Sequence, residues 1–356
     1  MYSGYETLVK ELSERLVKSG NEVTIYCHKK LFNKRPKKVN GINLVYTPSV
    51  NSKIFSQLYN SFFSFVHVCF SKSDVVLVLN SANAPFGLMT KLFGKKTCIN
   101  VDGLEWLRPK WKGIGSLYFK ISSKLSTYLF DQIITDSNEM SKIYEEIFKK
   151  KSSVIAYGPT MNKSYNKMIL ESFELVEKNY YLIVGRLIPD NNSKLIIEGF
   201  LSSNSNKKLV IVGDVPYKDK YAEKVKSFRS EKIILTGYIS DADDLSCLYD
   251  NCYCYIHGHE FGGTNPTMIN ALYLNCQIIA LNTRFNIEML EDKEAILFEK
   301  NQKSIKGAIN LLEKSYMDLL VQNNSHKLSK KYNWNFIKDQ YLKIFFELTN
   351  FQNKSF

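Results

Sequence analysis

The chain has 356 residues and 44% hydrophobic content, enough for two domains with separate cores and too apolar for disorder. Its formal net charge of +13 raises nucleic acid as a partner, but no zinc-finger spacing, RNP motif or basic recognition helix accompanies it, and no nucleic acid is expected. Seven cysteines, an odd number with no C-x-x-C pair, read as reduced core residues of a cytosolic protein.

The opening segment, "MYSGYETLVKELSERLVKSGNEVTIYC", places Leu8, Val9, Leu12, Leu16 and Val17 at helical spacing. Gly20 supplies a stop, and Glu22 to Cys27 then alternates as a strand does. This is the second half of a βαβ unit with its first strand absent. In a doubly wound sheet the first strand lies centrally, so its loss is expected to open a gap between neighbours. The expectation is a misassigned start or a truncated product. No signal peptide precedes the helix, which points to a protein that stays inside.

"KKLFNKRPKK", Lys29 to Lys38, follows the strand with six basic residues. It reads either as a solvated loop or as a surface facing anionic lipid or a polyanion. The charge is uneven: residues 1 to 160 hold 23 Lys+Arg against 12 Asp+Glu, a net +11, leaving +2 for the remainder.

Further strands are predicted at Ile42 to Tyr46, Val75 to Leu79, Thr97 to Val101, Ile133 to Thr135 and Val154 to Tyr157, alternating with helices. Residues 54 to 71 contain no Lys, Arg, Asp or Glu. Their stripe of Phe55, Leu58, Tyr59, Phe62, Val66, Cys69 and Phe70 predicts a helix packed on its sheet, with an interfacial membrane helix as the alternative. The first domain is set at 1–160 and a polar linker at 161–179.

A second series of strands follows at Tyr180 to Val184, Leu209 to Val212, Ile233 to Leu235, Cys252 to Ile256, Ile278 to Leu281 and Ile296 to Phe298. The fold class is α/β, with two doubly wound domains, the second over 180–356. The last helical segment, "YNWNFIKDQYLKIFFEL", either finishes the second domain or crosses back to brace the first.

Two joints carry chemistry. "YYLIVGRLIPDNNSKLIIEGF" is a strand ending at Gly185-Arg186, then a loop and a helix. Such a joint aims unpaired N–H groups and a helix dipole at whatever sits above the sheet edge, and an arginine adds a fork suited to phosphate. The alternative for Arg186 is a neighbouring carboxylate. In "HGHEFGGTNPTMINALYLNC", Gly262, Gly263 and Thr264 allow close backbone approach and Pro266 suits a first helical turn, with a plain tight turn as the alternative. Two anion-accepting joints in one domain suggest a diphosphate.

Together these segments resemble the GT4-type glycosyltransferases of the GT-B fold, in which two Rossmann-like domains face each other across a cleft. "NVDGLEWLRPKW" (Asn100 to Trp111) and "YSGYETLVKEL" (Tyr2 to Leu12) resemble the rhamnosyltransferase-like branch of bacterial polysaccharide synthesis, with a DUF1972-like N-terminal domain. The resemblance covers essentially the whole chain. It implies donor contacts from Gly185, Arg186, Gly262, Gly263, Thr264 and Asn265. A lysine usually stands six positions after the arginine; here Asn192 stands there, with Lys194 two beyond. The family's paired glutamates are represented by Gly262 and Asn270, and Glu260 lies two residues early. Asn270 keeps one hydrogen bond to a sugar hydroxyl but loses the two-acceptor clamp on a ribose diol. A deoxyribose donor such as dTDP-rhamnose tolerates this departure better than a UDP-sugar.

The same resemblance places Ser3, Gly4, Tyr5 and Glu6 on the acceptor side, with Trp106 and Trp111 offering flat surfaces to a sugar. Asp102 and Glu105 follow a strand at the sheet edge expected to face the cleft, as candidates to orient or deprotonate an acceptor hydroxyl. Salt bridges to Arg108 or Lys110 are the alternative for both acids.

Asp241-Ala242-Asp243 mimics a metal-binding D-x-D but most simply caps a helix. His257 and His259 lack further ligands at suitable spacing. No metal and no other cofactor is expected. The implied function is retaining transfer of a sugar, best guessed as rhamnose from dTDP-rhamnose, to a lipid-diphosphate-linked saccharide, in the cytoplasm at the inner face of the membrane and in peripheral contact with anionic lipid. A non-catalytic nucleotide-sugar-binding or scaffold subunit, or an inactive relative, is the rival. A nicotinamide-dependent enzyme is third, because neither domain shows G-x-G-x-x-G after its first strand.

Overall fold

The computed structural model describes residues 4–50, 55–109, 111–162, 167–290, 295–314, 328 and 332–350. The chain divides into two compact units: Tyr2–Ala156 together with Trp334–Phe356, and Tyr157–Asn333.

In the N-terminal unit, α1 (Gly4–Lys18) buries Leu8, Leu12 and Leu16, the helical stripe of its sequence. It ends where Gly20 takes φ +84° and the Asn21 amide returns to the Leu16 carbonyl. The elements that follow are β1 (Thr24–His28), β2 (Lys38–Val39), β3 (Ile42–Thr47), α2 (Phe55–Cys69), β4 (Val75–Leu79), α3 (Gly87–Leu92), β5 (Lys96–Val101), α4 (Ile114–Leu129), β6 (Gln132–Thr135), α5 (Asn138–Phe148) and β7 (Ser153–Val154).

These strands form two sheets, β1-β3-β2 and β4-β5-β6-β7. The second is wholly parallel. Among the described residues β1 and β4 each pair on one side only. Their exposure follows from this: no residue of β1 is fully buried and only Val78 of β4 is, whereas β5, paired on both sides, buries five of its six.

Helix α2 forms as expected, but the stripe chosen for its packing face is corrected. Tyr59, Phe62 and Phe70 are exposed, while Asn60, Ser61, Phe65 and Val68 are buried. Polar pairing decides the face: the Asn60 amide donates to Thr47 Oγ1 at 2.6 Å and the Ser61 hydroxyl to Asn83 Oδ1 at 2.8 Å. Buried polar groups with good partners cost little to hold inside.

The closing helix, Trp334–Asn350, belongs to the N-terminal unit. Its Tyr341 is fully buried, and the hydroxyl accepts a hydrogen bond from the Asn100 amide at 2.9 Å. The Arg15 guanidinium of α1 lies 5.7 Å from the Trp334 ring centroid.

The C-terminal unit contains α6 (Met168–Ser172), β8 (Tyr180–Val184), α7 (Ser193–Leu201), β9 (Lys208–Val212), α8 (Lys220–Lys226), β10 (Ile233–Gly237), α9 (Ala242–Asp250), β11 (Cys254–His257), α10 (Pro266–Tyr273), β12 (Ile278–Leu281), α11 (Arg284–Leu290), β13 (Ile296–Phe298) and α12 (Gln302–Lys314). The polar stretch read as a linker lies within this unit, where α6 buries Leu170. One six-stranded sheet runs β10-β9-β8-β11-β12-β13, parallel throughout. Its central strands read as continuous apolar runs because helices cover both faces. Ile183, Ile211 and Ile256 pack with Ile196, Ile197 and Phe200 of α7 and with Ile305 and Ile309 of α12.

Candidate active site

In the C-terminal unit the first strand, β8, lies between β9 and β11. The strand order reverses there, and ligands of open parallel sheets bind outside the carboxyl ends at such a point. The loops after β8 and β11 both emerge at it and are fastened together. The Asn192 amide donates to the Gly258 carbonyl at 2.8 Å, the Glu260 amide to the Asp190 carbonyl at 3.1 Å, and Asn191 Oδ1 lies 2.7 Å from His259 Nδ1. Gly258 is required by this fit, since a Cβ there would come within 2.5 Å of the Asn191 carbonyl oxygen. Gly262 takes φ +125°, which side chains rarely adopt.

The residues expected to hold a donor are treated differently by this frame. Gly185 is half-buried and Arg186 exposed. The Arg186 carbonyl is fixed by the Ile188 amide at 2.8 Å and the Asn191 side chain at 2.7 Å, while among the described residues no carboxylate pairs with its guanidinium. Asn192 is buried at φ +53° and serves as the staple between loops. Lys194 is in the first turn of α7 and pairs with Glu198 one turn on, at 3.0 Å. Gly263 and Thr264 are buried. Asn265 caps α10, its side chain accepting from the Thr267 amide at 3.0 Å and hydroxyl at 2.8 Å. Asn270 is buried and accepts from the Thr160 amide at 2.9 Å. The outward group of the set is therefore Arg186, on a backbone held from both sides.

Asp241 caps α9, accepting from the Asp243 and Asp244 amides at 2.8 and 3.1 Å. Glu260 pairs with Lys300. Among the described residues no group of three or more His, Cys, Asp or Glu is arranged to hold a metal ion.

His257 has a role that its sequence context did not suggest. Its Nδ1 lies 2.9 Å from the Tyr255 hydroxyl, which donates to Thr267 Oγ1 at 2.8 Å. Since the tyrosine proton goes to Thr267, His257 Nδ1 donates and Nε2 is left as an acceptor, buried with no hydrogen-bond partner among the described residues. The available signal was the i, i+2 spacing of Tyr255 and His257, which puts both on one face of β11.

Burial lowers the His257 pKa from 6.5 to about 3. Between these values the unfolded chain binds one more proton than the folded one. Stability is therefore complete above about pH 6.5 and falls as pH is lowered, by about 1.4 kcal/mol per unit. His257→Asn, which keeps an amide near Tyr255, is expected to flatten this acid limb in urea unfolding measured across that window.

The N-terminal unit gathers a second group of residues after β5. Glu105 is buried, with Oε1 paired to Arg108 Nε at 2.8 Å and Oε2 accepting from Trp111 Nε1 at 3.0 Å. Of the two candidate acids, Glu105 takes the ion-paired alternative and fixes the turn. Asp102 is half-buried and hydrogen-bonded to the Tyr5 hydroxyl. Burial first, then the charge of Asp102, raises the Tyr5 pKa well above its ordinary value, so this hydroxyl stays protonated. Tyr5 thus faces the acid cluster, whereas Glu6 is exposed and Gly4 begins α1. Ser3 lies outside the described residues. Trp106 stands edge-on to Phe148, ring centroids 6.1 Å apart, and Trp111 tilts over Phe119 at 4.8 Å; both tryptophans are half-buried.

Residues 167–332 match the family described as glycosyl transferases group 1. The chain is a glycosyltransferase. Residues 60–160 of this glycosyltransferase match the domain of unknown function DUF1972. A relative from Campylobacter jejuni, N-acetylgalactosamine-N,N'-diacetylbacillosaminyl-diphospho-undecaprenol 4-alpha-N-acetylgalactosaminyltransferase, is 23% identical over 256 residues, 69% of this chain and 68% of that protein. Among solved structures, sucrose-phosphate synthase of Thermosynechococcus elongatus is similar with a TM-score of 0.79 at 13% identity, covering 97% of this chain and 94% of that one. HepE of Anabaena, solved with UDP and glucose, is similar with a TM-score of 0.74 at 12% identity over 96% and 95%. The glycosyltransferase fold is GT-B, and each unit supplies one of its Rossmann-like domains.

Proposed function

We propose that this glycosyltransferase moves a sugar from a nucleoside diphosphate to a lipid-diphosphate-linked saccharide, with retention and without a metal, while in peripheral contact with the cytoplasmic face of a membrane. The observation that carries the reading is the exposed Arg186 on its braced loop at the switch point. As the bond from the anomeric carbon to the diphosphate oxygen breaks, charge builds on the leaving group, and a fixed guanidinium there stabilises the transition state more than the ground state. The acceptor oxygen bonds the anomeric carbon on the face the diphosphate leaves, and its proton passes to the leaving diphosphate. Asp102, held by Tyr5, is the group of the N-terminal unit proposed to bind an acceptor hydroxyl. The lipid-linked acceptor is supported by the name of the Campylobacter relative.

The donor proposed is dTDP-rhamnose. Asn270 stands where the family's ribose-binding glutamate is found and spends its amide on Thr160; a deoxyribose asks for no diol clamp. Incubation of the full chain with dTDP-rhamnose and a short-chain lipid-diphosphate saccharide is expected to yield the extended saccharide. Transfer from UDP- or GDP-sugars alone would overturn the donor, and nucleotide binding without turnover on any of them would favour a non-catalytic binding subunit.

A further inference from the structure

Helix α4 is inside out. Its buried residues include Ser122, Ser123, Ser126 and Thr127, none more than 4% exposed, whereas Ile114, Leu117 and Ile121 are 87%, 57% and 49% exposed. A helix shaped only by packing on its sheet shows the reverse. On the serine face, Ser126 and Thr127 each donate to a carbonyl three residues back. The apolar face has no partner among the described residues.

The neighbouring helices repeat the pattern. Leu88 and Leu92 of α3 and Phe62 of α2 are exposed, while α2 turns Asn60 and Ser61 inward. Helix α3 packs against both α2 and α4, and the intervening turn ties them, with the Tyr118 hydroxyl of α4 donating to the Ala82 carbonyl at 2.7 Å. None of the three helices contains an aspartate or glutamate. Lys91, Lys120 and Lys124 stand exposed on the same helices, and Lys91 reaches the Tyr128 carbonyl near the end of α4.

We propose that the outer faces of α2, α3 and α4 form a lipid-docking surface, with α4 lying in the headgroup region of an anionic bilayer. Apolar side chains interleaved with lysines and free of acids match that environment, the chains entering the acyl boundary and the ammonium groups meeting lipid phosphates. A second copy of the chain is a poorer occupant, because a two-fold interface sets this acid-free basic face against itself. The surface also continues into the acid cluster: the turn at Glu105–Leu107 packs on α4, and the Ser116 hydroxyl donates to the Trp106 carbonyl at 2.7 Å. The inference deepens the reading of a lipid-linked acceptor and rests on it for its purpose.

The test is co-sedimentation of the full chain with phosphatidylcholine vesicles, with and without phosphatidylglycerol. The parent chain is expected to sediment with the anionic vesicles and to be released by salt. The triple variant Ile114→Ser, Leu117→Ser, Ile121→Ser is expected to lose at least about tenfold in partitioning, while melting as the parent does and still serving a short-chain, water-soluble acceptor. Parent-like partitioning of the triple variant overturns the surface. So does a parent that ignores anionic vesicles, or one that forms a dimer which the triple variant dissolves. Vesicle binding that survives in the parent and fails in the variant, without any transfer to a lipid-diphosphate saccharide, keeps the surface and overturns the acceptor reading instead.

Discussion

Arg186→Ala is expected to lower the transfer rate about 10²- to 10³-fold, the usual cost of removing one preorganised group aimed at developing charge. The change should be clean. The side chain is exposed, while the loop is held through its main chain by Ile188 and Asn191, so stability is expected to stay within about 0.5 kcal/mol of the parent. Arg186→Lys should recover part of the rate, because charge returns without the two-pronged geometry. Single-turnover transfer separates this effect from donor release. An alanine variant that turns over as the parent does would remove Arg186 from the chemistry and with it the reading of the switch-point loops.

Arg108→Ala is expected to act on folding instead. Glu105 and Arg108 have side chains only 11% and 9% exposed, and they pair at 2.8 Å. Removing the guanidinium takes the ion-pair partner from a buried carboxylate, and broken buried pairs typically cost about 3–5 kcal/mol. The double variant Glu105→Gln, Arg108→Met should regain much of that loss, since the stranded charge goes with its partner. Hydrogen exchange of peptides from 96–119 reads the effect in the N-terminal unit directly. Equal protection in Arg108→Ala and the parent would mean that the pair contributes nothing.

The C-terminal unit was readable because its strands are uninterrupted apolar runs such as "YYLIV" and its loops are punctuated by Gly185, Pro189 and Gly262. Asparagines were harder. Asn192, Asn265 and Asn270 each offer an amide NH2 that donates and a carbonyl oxygen that accepts, and a sequence does not say whether a ligand or a neighbouring loop takes them; here Gly258, Thr267 and Thr160 do. Helix α2 misled for a related reason. Its aromatic residues occupy more than one face, so periodicity offers several stripes, and the choice falls to Asn60 and Ser61, whose partners Thr47 and Asn83 come from distant parts of the chain. Glu105 could be narrowed to two roles but not one, because an acid after a strand looks the same whether it faces a substrate or an arginine three residues on.

The division of the N-terminal strands into two sheets has a consequence for handling the protein. The sides of β1 and β4 that lack a neighbour among the described residues are rows of main-chain donors and acceptors, while β8 in the other unit is matched on both sides. Open rows are templates that accept any extended segment of suitable register. In a concentrated sample, the open sides of β1 and β4 are expected to be sites where strand exchange between copies begins.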